Sequence, residues 1–89
     1  MLQLSFNKTK GYRRGAPATL RDLREGEQGV LEHIELPEPD ARRLMELGFL
    51  PGTTVLAARS APGGDPRVFR VDGSEVALRR ETAARLRLK

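Results

Sequence analysis

The chain has 89 residues, no cysteine, one tyrosine, three phenylalanines and a formal net charge of +4. A chain of this length makes one domain that buries about 60–65% of the surface its unfolded form exposes, which leaves little room for an enclosed active site beside the core. Without cysteine there is no disulfide, thiolate nucleophile or cysteine-ligated zinc. No apolar run approaches the ~18 residues of a spanning helix. The first seventeen residues lack the apolar segment of a secretory signal, so a cytoplasmic protein is expected.

The charge is unevenly spread. Lys8, Lys10, Arg13 and Arg14 give residues 1–19 a charge of +4, whereas residues 20–89 hold 12 basic and 12 acidic side chains. Residues 1–18 are therefore expected to form a basic, mobile extension and residues 19–89 the folded domain. Such an arm suits anionic lipid headgroups or RNA, and any membrane contact is expected to run through it. Its opening, Leu2 to Phe6, alternates as an edge strand would.

Thr19 is placed to cap a short helical turn carrying Leu20 and Leu23, and Gly26 stops that turn. Gln28 to Glu35 alternates as a strand, with Val30, Glu32 and Ile34 on one face and Leu31 and His33 on the other. Pro37 and Pro39 end it. Asp40 then caps a helix over residues 40–47, with Ala41, Leu44 and Met45 as its inward stripe, widened by Leu47, and Gly48 at its stop. Arg42, Arg43 and Glu46 fall on the wet side.

Leu50-Pro51-Gly52-Thr53 fits a type II turn. A strand over 53–59 and a Gly/Pro-rich loop over 60–66 follow. Strands over 67–71 and 75–79 face each other across Asp72-Gly73, a strong hairpin signal, with Val76 and Leu78 inward. Residues 80–84 make a second helical turn and 85–88 a last strand. About five short strands with one helix and two helical turns describe a mainly β, closed or nearly closed small barrel.

Four stretches of this chain, in this order, resemble the FeoA domain family. They are Leu20-x-x-Leu23-x-x-Gly26-Glu27 with Gly29-Val30, then Arg43-Leu44-Met45-Glu46-Leu47-Gly48-Phe49-Leu50-Pro51-Gly52-Thr53-x-Val55, then Ala61-Pro62-Gly63-Gly64-Asp65-Pro66, and finally Val76-Ala77-Leu78-Arg79-Arg80-x-x-Ala83. The resemblance covers residues 19–89. It implies an SH3-like barrel and a small cytoplasmic protein that accompanies FeoB, the GTP-driven membrane transporter of ferrous iron. The basic lead departs from the family pattern.

The residues themselves point to binding rather than catalysis. His33 is the single histidine, and no context joins Ser5, Ser60 or Ser74 to it as a triad. Gly63-Gly64-Asp65 lacks the Lys-Ser/Thr tail of a phosphate loop. Ferrous iron accepts imidazole and carboxylate. On a regular strand, however, Glu32 and His33 point to opposite faces, so no high-affinity metal site and no cofactor are expected around Glu32, His33 and Glu35.

Leu47, Phe49 and Leu50 are the candidate partner contacts, with Arg79 and Arg80 at their rim. Gly26, Gly48, Pro51, Gly52, Asp72 and Gly73 are assigned to turns. The function expected is an accessory role in ferrous iron uptake by docking on the cytoplasmic part of a FeoB-type transporter, peripheral to the membrane through that partner. The alternative is a free-standing regulatory or nucleic-acid-binding barrel. Nucleic acid is not the expected partner, because the folded part is neutral and has no run of aromatics for bases to stack on.

Overall fold

The computed structural model describes residues 15–89. Lys8, Lys10, Arg13, Arg14 and the alternating Leu2–Phe6 stretch lie outside the described residues. The Ala18 carbonyl accepts the Leu88 amide at 2.9 Å. A 3₁₀ turn, Leu20–Asp22, follows. The Asp22 carboxylate closes it, accepting the amides of Ala18 and Thr19 at 3.2 and 3.1 Å and the Thr19 hydroxyl at 3.2 Å.

Five strands make up the body: β1 (Gln28–Ile34), β2 (Thr54–Ser60), β3 (Arg67–Val71), β4 (Ser74–Leu78) and β5 (Leu86–Leu88). Helix α1 (Glu38–Glu46) joins β1 to β2, and the one-turn α2 (Arg80–Ala83) joins β4 to β5. The strands pair antiparallel in the order β4-β3-β2-β1-β5. All five strands contribute to one core with Leu20, Leu23, Leu44 and Ala83. This is the small SH3-like barrel expected.

β1 makes the barrel's corner. Its first half, Gln28 to Val30, pairs with β2, and its second half, Leu31 to Ile34, pairs with β5. A bulge between Leu31 and His33 inserts one residue at the changeover, where a bulged strand bends. The strict alternation expected for β1 is therefore corrected. Leu31 and Ile34, three apart, sit opposite the buried Leu88 and Leu86, while Glu32 and His33 are both exposed. Gly29 lies at the same corner. A Cβ there would stand 2.7 Å from Leu88 Cδ1, so the two strands approach this closely only over a glycine.

The turns behave as their residues require. Asp72 and Gly73 take φ of 51° and 79°, a two-residue primed hairpin in which Ser74 already pairs with Val71, so β4 starts one residue before the expected strand. The Thr53 amide bonds to the Leu50 carbonyl at 3.0 Å across Pro51-Gly52, with Gly52 at φ 90°. The expected loop over 60–66 holds a 3₁₀ turn, Pro62–Gly64. Its Asp65 carboxylate accepts the Arg80 amide at 2.9 Å, fixing the start of α2.

Helix α1 departs from expectation at its start. Pro37 is the N-cap and Pro39 lies in the first turn, so the prolines open the helix as well as ending β1, and Asp40 is not the cap. Proline is tolerated there because first-turn amides have no helical partner. The inward stripe is narrower than expected. Leu44 is buried, whereas Met45 is 38% exposed.

The helix stop explains a further correction. Gly48, at φ 112°, sends its amide to the Met45 carbonyl at 3.0 Å, and Phe49 sends its amide to the Leu44 carbonyl at 3.1 Å. That bond pair is a Schellman motif, which commonly brings the second residue past the cap against the last turn. Phe49 is accordingly 0% exposed and part of the core with Leu44. The expectation that Phe49 is a partner contact fails because this stop turns its ring inward.

On the outer face, Glu75 of β4 binds Arg59 of β2 at 3.0 Å and Arg70 of β3 at 2.8 Å. The hydrogen bond from Arg59, then that from Arg70, holds the Glu75 carboxyl below the usual carboxylate range.

Two outcomes are expected. Phe49→Ala costs roughly 3–5 kcal/mol by leaving a cavity, whereas Leu50→Ala, at an exposed position, stays within about 0.5 kcal/mol; urea titration followed by circular dichroism separates them. For Glu75, the depressed folded pKa means its stabilisation is present above the unfolded pKa and is lost as pH falls through the folded one. Glu75→Gln should therefore lose less stability than the parent between about pH 5 and about pH 3.

Candidate docking groove

Helix α1 and edge strand β4 form the two walls of a groove. Asp40, Arg43, Leu44 and Leu47 line it from the helix side, Val76, Ala77 and Leu78 from the strand, and Leu36, Arg79 and Thr82 complete the lining; its volume is about 440 Å³. The four helix-side residues follow an i, i+3, i+4, i+7 spacing, one continuous face. Leu47 is the C-cap of α1, with αR backbone, and stays 45% exposed while Phe49 turns inward two residues later. One stop thus supplies both a core side chain and a groove wall.

Arg43 and Arg79 stand on the rim, and their side chains have no hydrogen-bond or ion-pair partner among the described residues. Three other cations differ. Arg42 is held by Glu38 at 3.1 Å, and Arg59 and Arg70 are held by Glu75. Asp40 is the single acid in the lining. The groove is therefore apolar at its floor and net positive at its edge.

Of the residues singled out from sequence, the groove brings together Leu47 and Arg79. Leu50 is 47% exposed in the turn at Pro51 and does not line it. Arg80 is exposed and outside the lining, with its amide tied to Asp65. Phe49 is in the core. Arg43, Leu36 and Ala77 are not among the partner contacts expected from sequence. The helical spacing of Asp40, Arg43, Leu44 and Leu47 was the available signal, but nothing local told that β4 would stand across from it.

The remaining chemistry is sparse. His33 Nε2 lies 3.1 Å from Glu35 Oε2, with both side chains about half exposed. Among the described residues no three His, Asp or Glu side chains converge on a point that could hold a metal. Ser60 Oγ accepts the Arg67 Nε–H at 3.3 Å, and its amide donates to Glu25, so its bonds tie strands and turn together. No helix of the described residues is long and apolar enough to cross a membrane.

A protein-family model, the FeoA domain, matches residues 18–89. A Fe(2+) transport protein A/Fe(2+) transporter FeoB fusion protein of Porphyromonas gingivalis is 34% identical over 70 residues, which is 79% of this chain and 8% of that protein. The FeoA protein of Chlorobium tepidum superposes with a TM-score of 0.75 at 28% identity, covering 79% of this chain and 67% of that one. The FeoA of Stenotrophomonas maltophilia, solved with zinc and described as an SH3-domain protein, superposes with a TM-score of 0.71 at 35% identity, covering 82% and 91%. A match that runs from Ala18 to Lys89, on a barrel shared with two solved FeoA proteins, places the chain: it belongs to the FeoA domain family.

Proposed function

We propose that this chain is a non-catalytic accessory protein of ferrous iron uptake. It docks on the cytoplasmic part of a FeoB-type, GTP-driven transporter and adjusts transport or GTP turnover through that contact. The observation that carries this reading is the fusion. In the Porphyromonas gingivalis relative, a domain of this kind and the ferrous transporter are parts of one chain. A covalent link raises the effective concentration of two modules to roughly the millimolar range, so it serves pairs that work together.

The groove is the surface that suits such a contact. Leu47, nearly half exposed, lines it with Leu36, Leu44 and Val76, and Leu50, 47% exposed, adds apolar surface outside the lining. Small soluble domains seldom leave an apolar patch of this kind without a partner. The barrel supplies rigidity, and the transporter brings the chain to the inner face of the membrane.

Nucleic acid fits less well. Phe49 and Phe69, the only Phe, Tyr or Trp side chains among the described residues, are both buried. No stacking platform is thus offered to bases. The balance of 12 basic and 12 acidic side chains leaves residues 20–89 without a net electrostatic drive as well.

Calorimetry with the full chain and the cognate transporter's cytoplasmic domains tests the reading. The pair Leu47→Gln and Leu50→Gln should weaken binding about tenfold or more, with circular dichroism unchanged, and Arg42→Ala should leave it as it was. Undiminished binding by the Leu47/Leu50 variant would remove the groove from the interface, and no binding by the parent chain would remove the transporter as partner.

A further inference from the structure

We propose that the groove takes an extended peptide segment as an added strand on β4, with an aliphatic side chain in the floor and an adjacent Asp or Glu against Arg43 and Arg79. This deepens the docking reading and rests on it.

The strand geometry argues for an extended ligand. Successive side chains on a strand point to opposite faces. Val76, Ala77 and Leu78 are consecutive, yet all three line the groove. A cleft that meets three residues in a row runs along the backbone edge of β4, not over one of its faces. β4 ends the sheet order, so one side of its backbone has no neighbouring strand among the described residues. Strand addition uses such an edge, with main-chain hydrogen bonds supplying affinity and side-chain pockets supplying selection. Of the three, Ala77 is the exposed one, and its methyl group lets another backbone come close.

The floor selects an aliphatic side chain. Leu36, Leu44, Leu47, Val76 and Leu78 contribute only branched hydrocarbon, with no ring to stack on. The rim selects an acid. The guanidinium groups of Arg43 and Arg79 are unpaired among the described residues, whereas Arg42, next to Arg43, is held by Glu38, and Arg59 and Arg70 are held by Glu75. Arg binds carboxylate with two parallel hydrogen bonds, so an acidic residue beside the aliphatic one would complete the site. Asp40, the single acid in the same lining, disfavours a second acid beside it.

The test uses the full chain and short synthetic peptides tiled across the cytoplasmic segments of the cognate transporter, read by fluorescence anisotropy. At least one peptide with an aliphatic residue next to Asp or Glu should bind. Changing that acid to its amide, or combining Arg43→Glu with Arg79→Glu, should weaken binding about tenfold. Lys in place of the acid should restore binding to the double variant. Backbone N-methylation should abolish binding at alternate positions and be tolerated between them, as one-sided strand pairing requires. Arg42→Glu should change nothing.

If the charge reversals are silent while Leu47→Gln still abolishes binding, the acidic segment is wrong and the docking groove stands. Capture of the intact cytoplasmic domain but of no peptide would overturn strand addition. If neither the domain nor any peptide binds, the docking reading falls with it.

Discussion

The hydrogen bond from the Phe49 amide to the Leu44 carbonyl is the constraint on which the rest of the molecule turns. It exists because Gly48 adopts φ 112°, a conformation that a side chain disfavours by roughly 1–2 kcal/mol. The bond ends α1, swings Phe49 into the centre of the barrel and leaves Leu47 outside as a groove wall. The chain then runs directly into Leu50-Pro51-Gly52-Thr53. There the Gly52 amide meets the Leu31 carbonyl at 2.7 Å and the Leu31 amide meets the Thr53 carbonyl at 2.9 Å. A single helix stop thereby fixes a core side chain, a surface side chain and the entry of β2 beside β1.

Much of this was legible in sequence wherever the cause is local. Asp72-Gly73 demands a primed hairpin because both residues tolerate positive φ, and both adopt it. Pro51-Gly52 sets the next turn in the same way. Phe49 was also legible in principle, since a Schellman stop predicts a contact between the residue after the glycine and the last helical turn. Treating the ring as exposed overlooked that rule. The prolines before α1 illustrate the opposite difficulty. Pro37 and Pro39 are compatible with both the end of a strand and the first turn of a helix, and composition alone does not choose.

The remainder was set by tertiary contacts. The bulge in β1 follows from the need to match Leu31 and Ile34 to Leu88 and Leu86, and half of that match lies over fifty residues away in the chain. Gly29 carries the same message, since its lack of a side chain makes sense only beside Leu88. The groove is of this kind too. Asp40, Arg43, Leu44 and Leu47 read as one helical face, but whether that face looks at water or at β4 is a property of the assembled barrel.

Charge shows most clearly what the assembly adds. Over residues 20–89 the basic and acidic side chains cancel, which would suggest a surface without electrostatic character. The fold distributes that cancellation unevenly. Glu75 collects two cations from two other strands on the outer face, and Glu38 takes Arg42 one turn along α1. Arg43 of α1 and Arg79, the residue after β4, brought together in the lining of one groove, are left uncompensated. Holding unpaired cations beside an apolar floor gains nothing for folding, because both remain wet and ion pairs at such exposure are worth well under about 1 kcal/mol even when made. Their arrangement gains value only when a ligand excludes water from the groove, where a charge-assisted hydrogen bond strengthens and a missing partner becomes costly. The same two residues are thus neutral for stability and selective for binding, which separates a recognition surface from a merely charged one.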